Sequence, residues 1–346
     1  MSALGISLKF NFRATAQRYL PASARNMSLE TRNFFPTLQR NVTPTASGSQ
    51  VVSYSSDLGN GGPVLALIHG YPQSAYSWRH VIPLLAGKVS LFVPELPGYG
   101  ISTPATEHSK RFIGRALLDT LQDVFKITPD APRKVIVGGH DRGARVSHRV
   151  AVDRKDFLPA VDIVGTVLLD IVPTKVQWES FKNPAIAQGY FHWPLLANVE
   201  LATMIIKSFG GANWVRGGHF RLTNSPEGIR RIKMEDAVEV YAALFEKDET
   251  IRCSCEDYAA SATPDFNEQA ADQAAGRKID VPTLVMFSAA KLGSQMDVAE
   301  VWKDWVAPGT VYEHVAVGES YGHYLPEEAY DIVSARVLEF LDKHAA

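Results

Sequence analysis

The 346-residue chain has only two cysteines, Cys253 and Cys255, and they are separated by one residue. A disulfide at that spacing is not expected, and a single C-x-C is thin support for a metal site. Reduced thiols in an intracellular protein are the better reading. Net charge is nearly absent as well, at −2 with histidines neutral. That leaves no electrostatic case for nucleic acid or an anionic membrane as partner. Long apolar runs are missing too. Residues 163–172 are interrupted by Gly165 and Asp170, well short of the ~20 residues of a membrane span. What is present is 46% apolar and 21% charged residues, enough to bury a large core. Expected partners are a small-molecule substrate and water, with a homodimer left open, and no metal or cofactor is expected.

The first 29 residues contain Lys9, Arg13, Arg18 and Arg25, with no acid before Glu30, and are rich in Ser and Ala. That is the composition of a mitochondrial transit peptide. A start at Met27 would omit it, and an inert extension is the competing reading. A cytoplasmic location is expected, with a mitochondrial one as the alternative.

From Gln50 onward, strand-like and helix-like stretches alternate. Strands are predicted at 50–55, 64–68, 91–93, 135–137, 164–169, 283–287 and 311–317, and helices at 77–85, 113–125 and 330–341. Such alternation implies a parallel sheet covered by helices on both faces. Residues 174–276 break the rhythm. They are helical in pattern and aromatic, with Trp178, Tyr190, Trp193, Trp214, Tyr241 and Tyr258. The expected organisation is an extension at 1–49, a core at 50–173 and 277–346, and an inserted helical cap at 174–276.

The most informative five residues are Gly139-His140-Asp141-Arg142-Gly143, between the apolar run 135–137 and a helix. Strand, sharp turn and helix with glycines around a reactive position match the nucleophile elbow of the α/β-hydrolase fold. Aspartate stands where an esterase would hold serine. A carboxylate there points to displacement at carbon instead of direct acyl transfer. His69-Gly70-Tyr71-Pro72 follows the strand 64–68. The backbone N–H groups of Tyr71 and Arg142 are the expected oxyanion donors, each worth about 2.7–4 kcal/mol where such donors have been removed. Gly322-His323 follows the last strand, where the general base belongs, and the chain order of nucleophile, acid, histidine agrees. For the acid, Asp170 at the end of a strand is preferred over Asp297, which lies ten residues past its strand. Helix-capping or packing roles are the competing readings of Asp170 and His323.

His140-Asp141-Arg142-Gly143-Ala144-Arg145, Leu169-Asp170-Ile171-Val172-Pro173-Thr174, Phe191-His192-Trp193 and Cys255-Glu256-Asp257-Tyr258 together resemble fluoroacetate dehalogenases, from about Gln50 to Leu341. Epoxide hydrolases share the elbow aspartate but usually follow it with tryptophan and rely on two cap tyrosines. The resemblance implies a substrate-carboxylate clamp at Arg142 and Arg145, and a halide pocket from His192, Trp193 and Tyr258. Tyr71 departs from the phenylalanine common after His-Gly. Arg145 lies three residues after Arg142, so both can face one side of the helix and grip a carboxylate by two bonds. The competing readings are pairing of the arginines with structural acids such as Glu95, and ordinary cap packing for His192 and Trp193. His148 and Arg149 are expected to be surface or packing residues. The expected reaction is hydrolysis of small 2-haloacids through an ester on Asp141, with Asp170 orienting His323. The alternative is an epoxide hydrolase with Tyr258 and Tyr190 or Tyr241 as acids.

Overall fold

β-Branched and aromatic residues are concentrated in seven short segments, and in the computed structural model these seven join an eighth, more polar strand in one sheet. The structure describes residues 29–344, and Phe34 onward forms one unit. The strands are β1 (Gln39–Pro44), β2 (Gln50–Ser56), β3 (Val64–Ile68), β4 (Ser90–Pro94), β5 (Arg133–His140), β6 (Val161–Leu169), β7 (Thr283–Ser288) and β8 (Tyr312–Val317). Their spatial order is β1-β2-β4-β3-β5-β6-β7-β8. β1 and β2 pair antiparallel, as do β2 and β4, and the remaining neighbours are parallel. The central strands β3 and β4 are buried throughout, as a sheet covered on both faces requires.

β1 corrects the expected extent of the extension. Residues 39–44 were counted with 1–49, yet they pair in register with β2 from Gln39↔Ser55 to Pro44↔Gln50. The strand was missed because it opens with the polar residues Gln39, Arg40 and Asn41 and has no apolar run, as an edge strand permits. The transit-peptide reading, Met27 included, falls outside the described residues. The helix expected over 77–85 is two shorter turns, Ala75–Trp78 and Ile82–Leu85. Residues from Thr174 to Ala275 are a succession of helices between β6 and β7.

Parallel pairing brings several loops to one edge of the sheet. Tyr71 follows β3, Asp141 follows β5, Asp170 follows β6 and His323 follows β8. Asp141 has φ 48° and ψ −115°, a conformation that side-chain-bearing residues rarely adopt. Close approach on both sides holds it. A Cβ on Gly143 would sit 2.2 Å from the Ile68 carbonyl oxygen, and one on Gly139 would sit 2.4 Å from the Gly143 carbonyl carbon. The elbow helix Arg142–Val152 therefore lies directly against β3 and β5, and ten of its eleven residues are buried.

Gly143→Ala is expected to destabilise the fold by at least about 2 kcal/mol or to prevent folding, because backbone must move to admit the methyl. Gly189→Ala, whose Cβ would meet nothing within 4 Å, is the control and should change stability by less than ~1 kcal/mol. Urea unfolding of both variants checks this. A Gly143→Ala protein as stable as the parent would contradict the close approach.

Candidate active site

The strained turn leaves Asp141 as the residue before the elbow helix, with its side chain directed away from helix capping. Its Oδ2 accepts the Tyr71 N–H at 3.1 Å, and its Oδ1 lies 4.0 Å from His323 Nε2. A Cβ on Gly70 would strike Asp141 Cβ at 2.6 Å, so glycine before Tyr71 is what lets that N–H reach the carboxylate. Arg142 is the first residue of the helix, where a backbone N–H has no intrahelical acceptor. Burial pushes the Asp141 carboxyl upward. His323, Arg142, His140 and Arg145 outweigh it and hold the group below its ordinary value.

Asp170 Oδ2 accepts His323 Nδ1–H at 2.6 Å, and Oδ1 accepts Ser288 N–H at 2.7 Å. The carboxylate is thus fixed at both oxygens, and the imidazole carries its proton on Nδ1 with Nε2 facing Asp141. Asp297, the discarded alternative, instead caps the helix Val298–Lys303 by accepting the Glu300 N–H. Burial pushes His323 down, but the hydrogen bond and charge of Asp170, together with Asp141, leave it above the ordinary imidazole value. Its loop is tied in place by neighbours. Burial pushes His140 down to about 3, so its ring is neutral, and Nε2–H donates to the His323 carbonyl at 2.8 Å. Glu328 accepts the N–H groups of Gly322 and Tyr324 at 2.7 and 2.9 Å.

The two arginines differ from each other more than the sequence suggested. Arg142 donates through Nε and Nη2 to Asp257, at 2.7 Å to Oδ2 and 2.9 Å to Oδ1. Its guanidinium stacks 4.2 Å from the centroid of Tyr258. Asp257 is also held by Lys110 and by the Tyr99 hydroxyl. This corrects the expected clamp, because the Arg142 fork is already occupied and only Nη1 remains without a partner. The acid that pairs with it is Asp257, not Glu95, which accepts the Ala75 N–H and lies beside His69. Arg145 donates Nη1 to Val172 O and Thr174 Oγ1 and has Nε unpartnered. Burial and the Arg142 charge lower it to about 10, so it stays cationic at neutral pH. Both guanidinium groups lie near the Trp193 ring, at 5.4 and 4.4 Å.

Two cavities meet at Asp141 and His323. One, of about 210 Å³, is lined by Tyr71, Tyr258, Phe191, Phe209, Trp214 and Tyr324 among others. The second, of about 200 Å³, is lined by Arg145, Asp170, Tyr190, Trp193, Lys291 and Gln295 among others. His192 and Arg221 border both. His192 is pushed down to about 3 by burial and by Arg221, and Arg221 Nη2 approaches its Nδ1 at 3.5 Å. That contact places the ring proton on Nε2, a neutral donor. Tyr241 lines neither cavity and donates its hydroxyl to Glu327 at 2.9 Å, which removes it as a proton donor to substrate. His148 and Arg149 are buried, Arg149 on Asp153 and Asp272. Sequence reasoning missed Arg221, Trp214 and Tyr324. Arg221 carried no local motif, and only its place on the cap helix Gly211–Leu222 brings it here. Among the described residues one group of possible metal ligands appears, His108, Cys253 and Glu256, and it borders neither cavity. No helix among the described residues is long and apolar enough to cross a membrane.

Residues 65–336 match the model of the alpha/beta hydrolase family. A fluoroacetate dehalogenase from Burkholderia sp. is 30% identical over 256 residues, 72% of this chain and 79% of that protein. A soluble epoxide hydrolase from Corynebacterium sp. is also 30% identical, over 82% of this chain and 91% of the relative. A solved structure from Pseudomonas aeruginosa, provisionally called an epoxide hydrolase, aligns with TM-score 0.75 at 30% identity and covers 91% of this chain and 98% of that one.

The Asp170 contact makes a direct prediction for His323. Its imidazole should titrate above 6.5 in histidine NMR, and Asp170→Asn should move the midpoint down, because neutral asparagine no longer favours the cation. A midpoint unchanged by that substitution would contradict the coupling.

Proposed function

This chain is a member of the alpha/beta hydrolase family, and on that premise we propose that it hydrolyses small 2-haloacids through an ester on Asp141. The observation that carries the haloacid reading is the buried Arg145 cation beside Asp141, on the wall of a cavity also lined by Lys291 and Arg221. Three cations around one small cavity suit a substrate that carries a carboxylate.

Asp141 Oδ1 attacks the halogen-bearing carbon as the carbon–halogen bond breaks and its electron pair leaves on the halide. His192 Nε2–H, the Trp193 indole and the Tyr258 hydroxyl donate to the departing halide. The resulting ester keeps Oδ2 as its carbonyl oxygen, already held by Tyr71 N–H at 3.1 Å. His323 Nε2, 4.0 Å from Oδ1, is separated by a gap that a water can bridge. The imidazole takes a proton from water, hydroxide adds to the Asp141 carbonyl carbon, and the Tyr71 and Arg142 N–H groups carry the oxyanion. Collapse expels the 2-hydroxy acid, which takes the proton from His323, and Asp141, left as the carboxylic acid, releases its proton to solvent to restore the carboxylate. These steps need no group beyond the residues named.

An epoxide would follow the same ester cycle with Tyr258 and Tyr190, both on the cavity walls, as acids. Opening a neutral epoxide leaves the Arg145, Arg221 and Lys291 charges around the cavity without a use, and this favours the haloacid.

His323→Asn should stop the cycle at the ester. Intact-mass analysis after incubation with bromoacetate should find one carboxymethyl group on the peptide carrying Asp141, and an unmodified variant alongside an active parent would defeat the assignment. Arg145→Lys should reduce kcat/KM on 2-haloacids by roughly ten- to a hundredfold, the worth of hydrogen bonds to a charged group. Uncharged haloamides of the same size should lose much less. Equal losses would make Arg145 structural and shift the balance to the epoxide.

A further inference from the structure

The carboxylate anchor and the nucleophile account for the cavity lined by Arg145, but not for the one lined by Phe209 and Trp214. That cavity begins at Asp141 and runs outward between Phe191, Phe209, Trp214, Leu222, Gly217 and Gly218. Of its polar walls, Trp214 donates its indole N–H to the Tyr71 hydroxyl, while the Tyr324 hydroxyl is buried without a partner. At its mouth Phe209 is 58% and Phe191 45% exposed, large aromatic surface left in contact with water where a ligand would cover it. A two-carbon haloacid carries no substituent on its halogen-bearing carbon to fill this space.

We infer that the apolar cavity is a side-chain subsite, and that the preferred substrates are 2-haloacids bearing an apolar substituent of several carbons on the halogen-bearing carbon. The inference rests on the haloacid reading above. Geometry at that carbon supports it. Its carboxylate is directed to Arg145 in one cavity, its halide to His192 at the junction, and its third substituent is left for the cavity between Phe209 and Trp214. With three directions fixed and attack opposite the halide, only one enantiomer fits, and displacement inverts it. The glycines set the depth. Gly217 and Gly218 sit within the helix Gly211–Leu222, and a Cβ on either would meet nothing within 4 Å. A larger residue there meets no packed neighbour, and Gly218, the half-buried one of the two on the cavity lining, is the position to substitute.

The test compares 2-bromopropanoate, 2-bromobutanoate and 2-bromohexanoate, all with the same leaving group on a secondary carbon, by bromide release. kcat/KM should rise along the series by roughly fourfold per methylene until the cavity is filled, the usual gain from burying a CH₂. From racemic 2-bromohexanoate one enantiomer should be consumed, giving the inverted 2-hydroxy acid. Gly218→Leu should lower the hexanoate-to-propanoate ratio of kcat/KM at least tenfold, while circular dichroism and melting temperature report that the variant is folded. A flat or falling series, or a ratio that Gly218→Leu does not move, overturns the subsite. Bromide release from none of these acids nor from bromoacetate overturns the haloacid reading itself, and the subsite with it.

Discussion

The backbone of Asp141, at φ 48° and ψ −115°, is the constraint from which the rest of the site follows. A residue held in so sparsely populated a region carries about 1–3 kcal/mol of strain, so the surroundings must over-determine it. They do so through contact that excludes any side chain at Gly139 and Gly143 and through a helix buried on nearly every face. The same closeness brings the loop after β3 against the loop after β5. Tyr71 N–H then reaches one carboxylate oxygen and leaves the other toward His323. Asp170, also at positive φ, solves a matching problem one strand over, fixed by Ser288 and His323 together.

Charge is managed around that turn in pairs. Two arginines one helical turn apart would repel in a buried setting, and Asp257 neutralises one of them with a two-point hydrogen bond. Asp257 and Tyr258 are neighbours on the cap helix Asp248–Ala262, so a single turn of the cap both balances Arg142 and walls the cavity. The other arginine keeps its charge uncompensated by any acid within hydrogen-bond reach of Nε. In the proposed reaction that surplus lets an anionic substrate approach an anionic nucleophile, since Arg145, Arg221 and Lys291 offset the repulsion between the two carboxylates.

The alternation of strand and helix and the elbow were legible because they are local. Small residues around Asp141, and histidine after glycine past the last strand, report short-range geometry, and the matching family model and aligned structures support the fold class. What was not legible is long-range. Asp257 lies 115 residues from Arg142, and nothing at either position names the other, so Glu95 was as good a partner on paper. Tyr241 and Tyr190 looked equivalent as cap tyrosines, but only Tyr190 borders a cavity, while Tyr241 is turned to Glu327. β1 was hidden by its polar edge.

The central claim is that a bond forms between Asp141 and the substrate carbon, and isotopic oxygen tests it most directly. A single turnover of a 2-haloacid in H₂¹⁸O, with enzyme in excess, should give a 2-hydroxy acid whose new hydroxyl is unlabelled. The label should sit in the peptide containing Asp141, because the transferred oxygen comes from the carboxylate and water refills it. Labelled hydroxyl in the product of that first turnover, with an unlabelled Asp141 peptide, would mean that water attacks the substrate directly and that Asp141 is not the nucleophile.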